Sequence, residues 1–164
     1  MRREELRGSY LRPLPTSYQI FEKAERVEQL SAGLYGLLAE RFGGDPQARE
    51  LFLRLEQEEL QHASRVRLMG SRYRSDPRLL GRLPVDHGEM DAILAESEQA
   101  FRDAQSGSFA PTLAQAFARL AELEDHLALA HAELIAREGA PALRDFFQRL
   151  AQQDRAHREL LARR

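Results

Sequence analysis

The stretch LEQEELQHASRV, residues 55–66, combines an apolar helical pattern with two chemically active side chains. With 3.6 residues in each helical turn, Leu55, Glu59, His62, Val66 and Met69 fall on one stripe. Such a stripe faces a protein core, where an unpaired charge is too costly to keep. Glu59 and His62 therefore require a buried partner or a metal ion, which the rest of the chain must supply.

The composition indicates a single all-α domain spanning residues 1–164. Ala, Leu, Glu, Gln and Arg, all good helix formers, are abundant, and β-branched residues are scarce. The net charge of −2 gives no strong field toward nucleic acid or an anionic membrane. The absence of cysteine excludes disulfides, a thiol nucleophile and a cysteine-ligated zinc or iron centre. Without a signal peptide or a run of about 18 apolar residues, we expect a cytoplasmic protein.

Four long helical patterns form two predicted hairpins after a leader at residues 1–16. They run from Tyr18 to Phe42, from Pro46 to about Gly70, from Thr112 to Arg137, and from Pro141 to near the C-terminus. Asp45 has the position of an N-cap before Pro46. Between the hairpins, residues 71–111 contain several prolines and glycines and a shorter helical pattern at residues 89–104. This order predicts an antiparallel four-helix bundle with one long crossover.

The other three helices also carry acids on their apolar stripes. These acids are Glu28, Glu124 and Asp154, and His157 follows Asp154 at the same three-residue spacing that separates His62 from Glu59. Chance predicts roughly one acid-x-x-His pair for this composition, so two such pairs alone are weak support. For Glu28 and Glu124 the alternative is an ordinary surface acid at the edge of a stripe.

The spacing of these residues indicates a degenerate internal repeat. Glu28 and Glu59 are 31 residues apart, and Glu124 and Asp154 are 30 apart. Each predicted hairpin thus has an inward acid on its first helix and an acid-x-x-His pair on its second. A random distribution of acids and histidines does not readily produce this arrangement. We therefore interpret the six residues as one buried cluster, called here the constellation: Glu28, Glu59, His62, Glu124, Asp154 and His157.

At these residues the chain resembles the ferritin-like, rubrerythrin-type di-iron carboxylate proteins, from about Tyr18 onward. The resemblance is carried by EQLSAGLY (28–35), EELQHA (58–63), ELEDHLALAH (122–131) and DRAH (154–157). In such bundles one Glu from each of two helices and a Glu-x-x-His from each of the other two bind the metals. The resemblance therefore implies six ligands to two iron ions, with manganese or a mixed pair as alternatives: Glu28, Glu59, His62, Glu124, Asp154 and His157.

The resemblance has three departures. By this resemblance Glu59 and Asp154 are the candidates to bridge the two metals, but Asp154 stands where the family pattern has Glu, which leaves open whether this shorter carboxylate binds one metal or both. Leu127 occupies the place of an additional family glutamate, three residues after Glu124. Because the chain has no cysteine, it lacks the ligands of a rubredoxin domain, and any electrons must come from an external donor.

Five further polar residues are considered, three of them near the constellation. Tyr35 and His131 each lie seven residues after an inward acid, where they would orient a ligand carboxylate or be ordinary core residues. Glu58 borders the stripe of Glu59, and we expect it on a solvated face, with an accessory role as the alternative. His126 lies off the stripe and His87 falls in the crossover, and we expect both in solvent.

The leading functional hypothesis is an oxidoreductase that reacts Fe(II) with O2 or peroxide, as a ferroxidase, oxidase or peroxidase. The alternatives are iron binding or storage without turnover, and a metal-free structural bundle. No nucleic-acid or membrane partner is expected, and the Ala-rich outer faces are compatible with a homodimer.

Overall fold

The computed structural model describes residues 16–76, 78, 87–136 and 141–164, and five α-helices contain nearly all of them. The helices are α1 (Thr16–Arg41), α2 (Pro46–Ser75), α3 (Gly88–Ser106), α4 (Leu113–Ala136) and α5 (Pro141–Ala162). Within these described ranges there is no β-strand. The predicted all-α class is therefore confirmed, while nearly all of the predicted leader lies outside the described residues.

A short turn at residues 42–45 joins α1 to α2 and makes the two helices antiparallel neighbours. Asp45 ends this turn as the N-cap of α2, since its side chain accepts a 3.0 Å hydrogen bond from the backbone N–H of Ala48. Pro46 takes the first helical position, where its missing N–H costs nothing. The predicted start of this helix is thus correct.

The end of α2 differs from the sequence prediction. The helix continues past Gly70 to Ser75, so the crossover begins later than residue 71. At Gly70 a Cβ atom would lie 3.0 Å from the Cβ of Phe21, which shows how closely α1 approaches α2 at this point. The glycine therefore serves helix packing and does not terminate the helix.

The crossover contains α3, which packs against α1 and α4. A Cβ at Gly33 of α1 would lie 2.7 Å from the ring of Phe101, so α3 passes close to the backbone of α1. Gly107 ends α3 with φ +80°, a left-handed conformation that glycine adopts without strain. The shorter helix predicted at residues 89–104 is present with slightly wider bounds.

The two hairpins share one apolar core. Near one end of the bundle the ring of Phe21 lies 5.6 Å from Tyr73 and 6.1 Å from Phe147, centroid to centroid. Near the other end Phe52 lies 5.3 Å from Phe117. Because α2 ends at the first cluster and α4 begins at the second, the crossover spans the length of the bundle. This arrangement is the predicted antiparallel four-helix bundle.

No helix in the described part of the chain is both long enough and apolar enough to cross a lipid bilayer.

Candidate metal centre

All six residues predicted as ligands are buried in the middle of the bundle, each at most 2% exposed. The four core helices all contribute, because in each one the acid lies on the same apolar stripe as the core leucines and phenylalanines. By helix the residues are Glu28 on α1, Glu59 and His62 on α2, Glu124 on α4, and Asp154 and His157 on α5.

Five of the six form two overlapping groups that share Glu59. One group is Glu28, Glu59 and His62, and the other is Glu59, Glu124 and His157. Within each group the candidate donor atoms all lie within 4.8 Å of one another. The structure therefore brings together two sets of two carboxylates and one imidazole, joined by one common carboxylate.

Glu59 lies between the two histidines and presents one oxygen to each. Its Oε2 is 3.2 Å from Nδ1 of His62, and its Oε1 is 2.7 Å from Nδ1 of His157. The outer carboxylates are slightly farther away, with Glu28 Oε2 3.6 Å from His62 Nδ1 and Glu124 Oε2 3.7 Å from His157 Nδ1. A carboxylate in this central position can contact two ions at once.

Asp154 is buried with the other five but belongs to neither group. Its Oδ2 accepts a 2.7 Å hydrogen bond from Nδ1 of His131. The other nitrogen of that ring lies 3.4 Å from Oε1 of Glu28. His131 therefore lies between two acids of the constellation and holds one oxygen of the shorter acid, while Asp154 Oδ1 has no partner among the described residues.

Tyr35 approaches the second group from α1. Its hydroxyl donates a 2.5 Å hydrogen bond to Oε1 of Glu124, and the residue is 1% exposed. This contact leaves Oε2 of Glu124 directed toward His157. Tyr35 and His131 thus each contact one of the predicted ligands, at equivalent positions of the internal repeat.

Several polar atoms at the centre make no well-formed hydrogen bond in the described part of the chain, although some of them lie within ion-pair distance of one another. Unpaired buried polar atoms are rare in proteins, so a cluster of them indicates a binding site for an ion or a ligand. Oxygen and imidazole donors suit iron, manganese or zinc, and the residues present therefore fit a metal centre. The atoms are both carboxylate oxygens of Glu28, Oε1 of Glu59, Oε2 of Glu124, Oδ1 of Asp154, Nε2 of His131 and Nδ1 of His157.

The pKa values of the acids reflect burial and crowding. Burial, followed by the charge of Glu59, raises the pKa of Glu28 well above its usual range. The same two causes raise the pKa of Glu124 to about 7. For Glu59 burial acts in the same direction, but the nearby imidazoles of His157 and His62 more than offset it and lower the pKa below its usual range. Of these three glutamates, Glu59 therefore keeps its charge most strongly.

The histidines compensate for this charge when no metal is bound. Burial lowers the pKa of His62, but Glu28 and Glu59 outweigh burial and raise it to about 10. Glu124 and Glu59 likewise outweigh burial at His157 and raise its pKa to about 12. Both rings thus carry a positive charge near neutral pH in the metal-free protein, and a metal that binds at Nδ1 must displace the proton on that nitrogen.

Glu58 contacts one of the predicted ligands, although the sequence interpretation placed it on the solvated face. Its side chain is 40% exposed, but its Oε2 accepts a 2.8 Å hydrogen bond from Nε2 of His157 across α2 and α5. The sequence signal was its place beside the stripe of Glu59. The direction in which the neighbouring helix lies cannot be read from a single helix, so that signal did not identify His157 as its partner.

The remaining histidines lie away from the centre. His126 is exposed and pairs with Glu96 at 2.9 Å, as expected for a residue off the stripe. His87, which we expected in solvent, is half-buried just before α3 because α1 packs beside it, with its Nδ1 3.1 Å from the Lys23 ammonium.

The fold and this centre define a class of protein: helical bundles that enclose, between two repeated hairpins, carboxylates and histidines that could hold metal ions. The family model described as Rubrerythrin matches residues 19–164. The chain therefore belongs to the rubrerythrin family, whose members typically bind iron. Searches of curated proteins and of solved structures returned no match.

Proposed function

We propose that this protein is a di-iron carboxylate oxidoreductase that oxidises Fe(II) with O2 or peroxide. The observation that carries the proposal is the pair of donor groups joined by Glu59, with buried oxygen and nitrogen atoms that make no well-formed hydrogen bond. Membership of the rubrerythrin family supports iron as the metal, and manganese or a mixed pair would fit the same donors.

The proposed ligands are the six residues predicted from the sequence. Glu28 and His62 would hold one ion, Glu124 and His157 the other, and Glu59 would bridge them. Asp154 contributes a fourth carboxylate, which helps to balance the charge of two divalent ions. Its hydrogen bond to His131 leaves only Oδ1 free. This geometry favours a single contact from Asp154.

The surrounding residues would control the centre in two ways. Tyr35 and His131 each occupy one oxygen of a ligand carboxylate and so fix which oxygen faces the ions. Burial of every donor residue to 2% exposure or less excludes bulk water, which strengthens the electrostatic interactions inside the site. When bound, iron supplies the electrons that reduce O2 or peroxide.

The protein would depend on an external electron donor for repeated turnover. The chain contains no cysteine and so has no rubredoxin-type iron centre of its own. A small redox protein or a flavin-dependent reductase has the required chemistry. An oxidoreductase of this kind should oxidise its bound Fe(II) and accept electrons again in repeated cycles. A protein that only stores iron should not.

Metal content and Fe(II) oxidation test the proposal together. The purified protein is stripped with a chelator, titrated anaerobically with Fe(II), and then exposed to O2 or to peroxide while its absorbance is followed. We expect two Fe(II) per chain and oxidation faster than that of free Fe(II). A protein loaded with redox-inert Zn(II) is the control. Failure to bind Fe(II), or binding without accelerated oxidation, would overturn the proposed reaction.

A further inference from the structure

The hydrogen bond between Glu58 and His157 links the surface of the bundle to its buried centre. Glu58 is 40% exposed and His157 is 2% exposed, and the Oε2–Nε2 distance is 2.8 Å. The other ring nitrogen, Nδ1, lies 2.7 Å from Oε1 of Glu59, on the side of the candidate ligands. One imidazole therefore has a carboxylate on its outer nitrogen and a candidate metal site on its inner nitrogen.

This arrangement determines how the imidazole can act as a ligand. A carboxylate at Nε2 keeps the proton on that nitrogen, so Nδ1 carries the lone pair when a metal binds. The negative charge of the carboxylate also makes the ring a stronger donor. Glu58 is itself oriented from its other side, because its Oε1 lies 3.6 Å from Nε of Arg54.

Among the residues that the structure describes, the second histidine, His62, has no equivalent contact. In the internal repeat, Gln153 precedes Asp154 as Glu58 precedes Glu59, so α5 carries a neutral amide at the corresponding position. That amide accepts a 3.4 Å hydrogen bond from Arg65. In the described part of the chain, the carboxylates close to His62 lie at Nδ1, on the side of the candidate ligands.

The two donor groups contain the same kinds of donor, although Tyr35 contacts Glu124 in one group and His131 lies near Glu28 in the other. Each has one imidazole and one carboxylate of its own, and both share Glu59. We propose that Glu58 is a positioning residue that makes the two metal sites unequal, so that the site of Glu59, Glu124 and His157 fills first and binds its ion more tightly. This inference rests on the proposed two-metal centre, and it adds an order of filling and a residue that determines it.

Titration with Co(II) tests the order of filling. Co(II) is stable in air at neutral pH, and its visible absorption reports the ligands of each site. We expect two binding stages in calorimetry for the wild-type protein. Glu58→Gln keeps the size of the side chain but removes its charge, and we expect it to weaken the tighter stage by about 10-fold or more. The weaker stage and the helical circular dichroism should not change.

A reciprocal variant and a matched control complete the experiment. Gln153→Glu places a carboxylate at the repeat-equivalent position, and we expect it to strengthen the weaker stage. Glu50→Gln makes the same charge change at an exposed position of α2 and should leave both stages as they are. A merely structural role of Glu58 would not produce a change confined to one stage.

The possible failures are distinguishable. Wild-type protein that binds no Co(II) would overturn the proposed two-metal function and this inference with it. Two bound Co(II) ions of equal affinity would overturn only the inference. The inference, but not the proposed function, would also be overturned if Glu58→Gln weakened both binding stages equally or weakened neither of them.

Discussion

The rings of His62 and His157 stack with their centroids 5.6 Å apart and their planes inclined by 12°. They come from the second helix of each hairpin and occupy equivalent positions of the internal repeat. In the metal-free protein both rings are protonated near neutral pH, so two positive charges face each other in the core. Glu59, between them, keeps this arrangement stable because it gives one oxygen to each ring.

Removal of one imidazole tests the ligand assignment. His62→Ala deletes a donor of the first group and leaves its carboxylates facing one another. We expect metal affinity to fall by about 10-fold or more and Fe(II) oxidation to be lost, while the helical fold persists. Metal analysis, oxidation kinetics and circular dichroism measure these effects. His126→Ala, at an exposed position, is the control, and unchanged metal content in His62→Ala would contradict the assignment.

Removal of the Tyr35 hydroxyl tests how much its hydrogen bond to Glu124 stabilises the protein. Tyr35→Phe removes the donor of a 2.5 Å hydrogen bond and leaves Oε1 of a buried carboxyl group unpaired. We expect the metal-free protein to lose about 1–3 kcal/mol of unfolding free energy, measured by urea denaturation with a chelator present. Tyr18→Phe removes the same atom from a partly buried residue at the start of α1 and should have a smaller effect. Equal losses in the two variants would contradict a specific role of the Tyr35 hydroxyl.

The raised histidine pKa values predict how the stability of the metal-free protein depends on pH. The folded pKa values of about 10 for His62 and about 12 for His157 exceed the ordinary value of 6.5. Their contribution to stability is therefore complete below about pH 6.5 and is lost as pH rises toward and through the folded values. The raised pKa of Glu124 acts in the same direction between its ordinary 4.5 and about 7.

Denaturation in the presence of a chelator should show unfolding free energy falling steadily from pH 7 to pH 10. The lowered pKa of Glu59 acts only at acidic pH, because its contribution is present above about 4.5 and is lost as pH falls through the folded value. With Zn(II) bound, the decline should be absent, since metal has replaced the protons on the imidazoles. If the unfolding free energy of the metal-free protein does not change with pH in this range, that result would contradict the raised pKa values of His62 and His157.

A substitution at His131 tests whether this residue holds the carboxylate of Asp154 in place. His131→Leu fills a similar volume but removes the 2.7 Å hydrogen bond to Oδ2 of Asp154. We expect a loss of metal affinity of about 10-fold or more, because the carboxylate is then free to rotate away from the ions. Calorimetric titration with Co(II) measures this loss. A wild-type affinity in the variant would show that His131 only fills the core.

The sequence was sufficient to predict the helices, their order and the residues that face inward. These features depend on local properties: the 3.6-residue period of apolar side chains, the N-cap at Asp45, and the proline and glycine content of the crossover. The end of α2 was placed wrongly because Gly70 has the appearance of a terminator. Its actual role, which is to let Phe21 approach, depends on a residue far away in the chain.

The partner of each inward side chain was decided only by the tertiary structure. The period of each helix determines that Glu59 and Asp154 lie on its apolar stripe and that Glu58 lies beside it. The period does not determine which residues of the other helices face them. The packing of four helices makes Glu59 the shared carboxylate, pairs Asp154 with His131, and brings Glu58 to His157. These contacts depend on the rotation and axial offset of one helix against another. Both quantities are set by the way the side chains of all four helices fill the common core, and the period of a single helix contains no information about them.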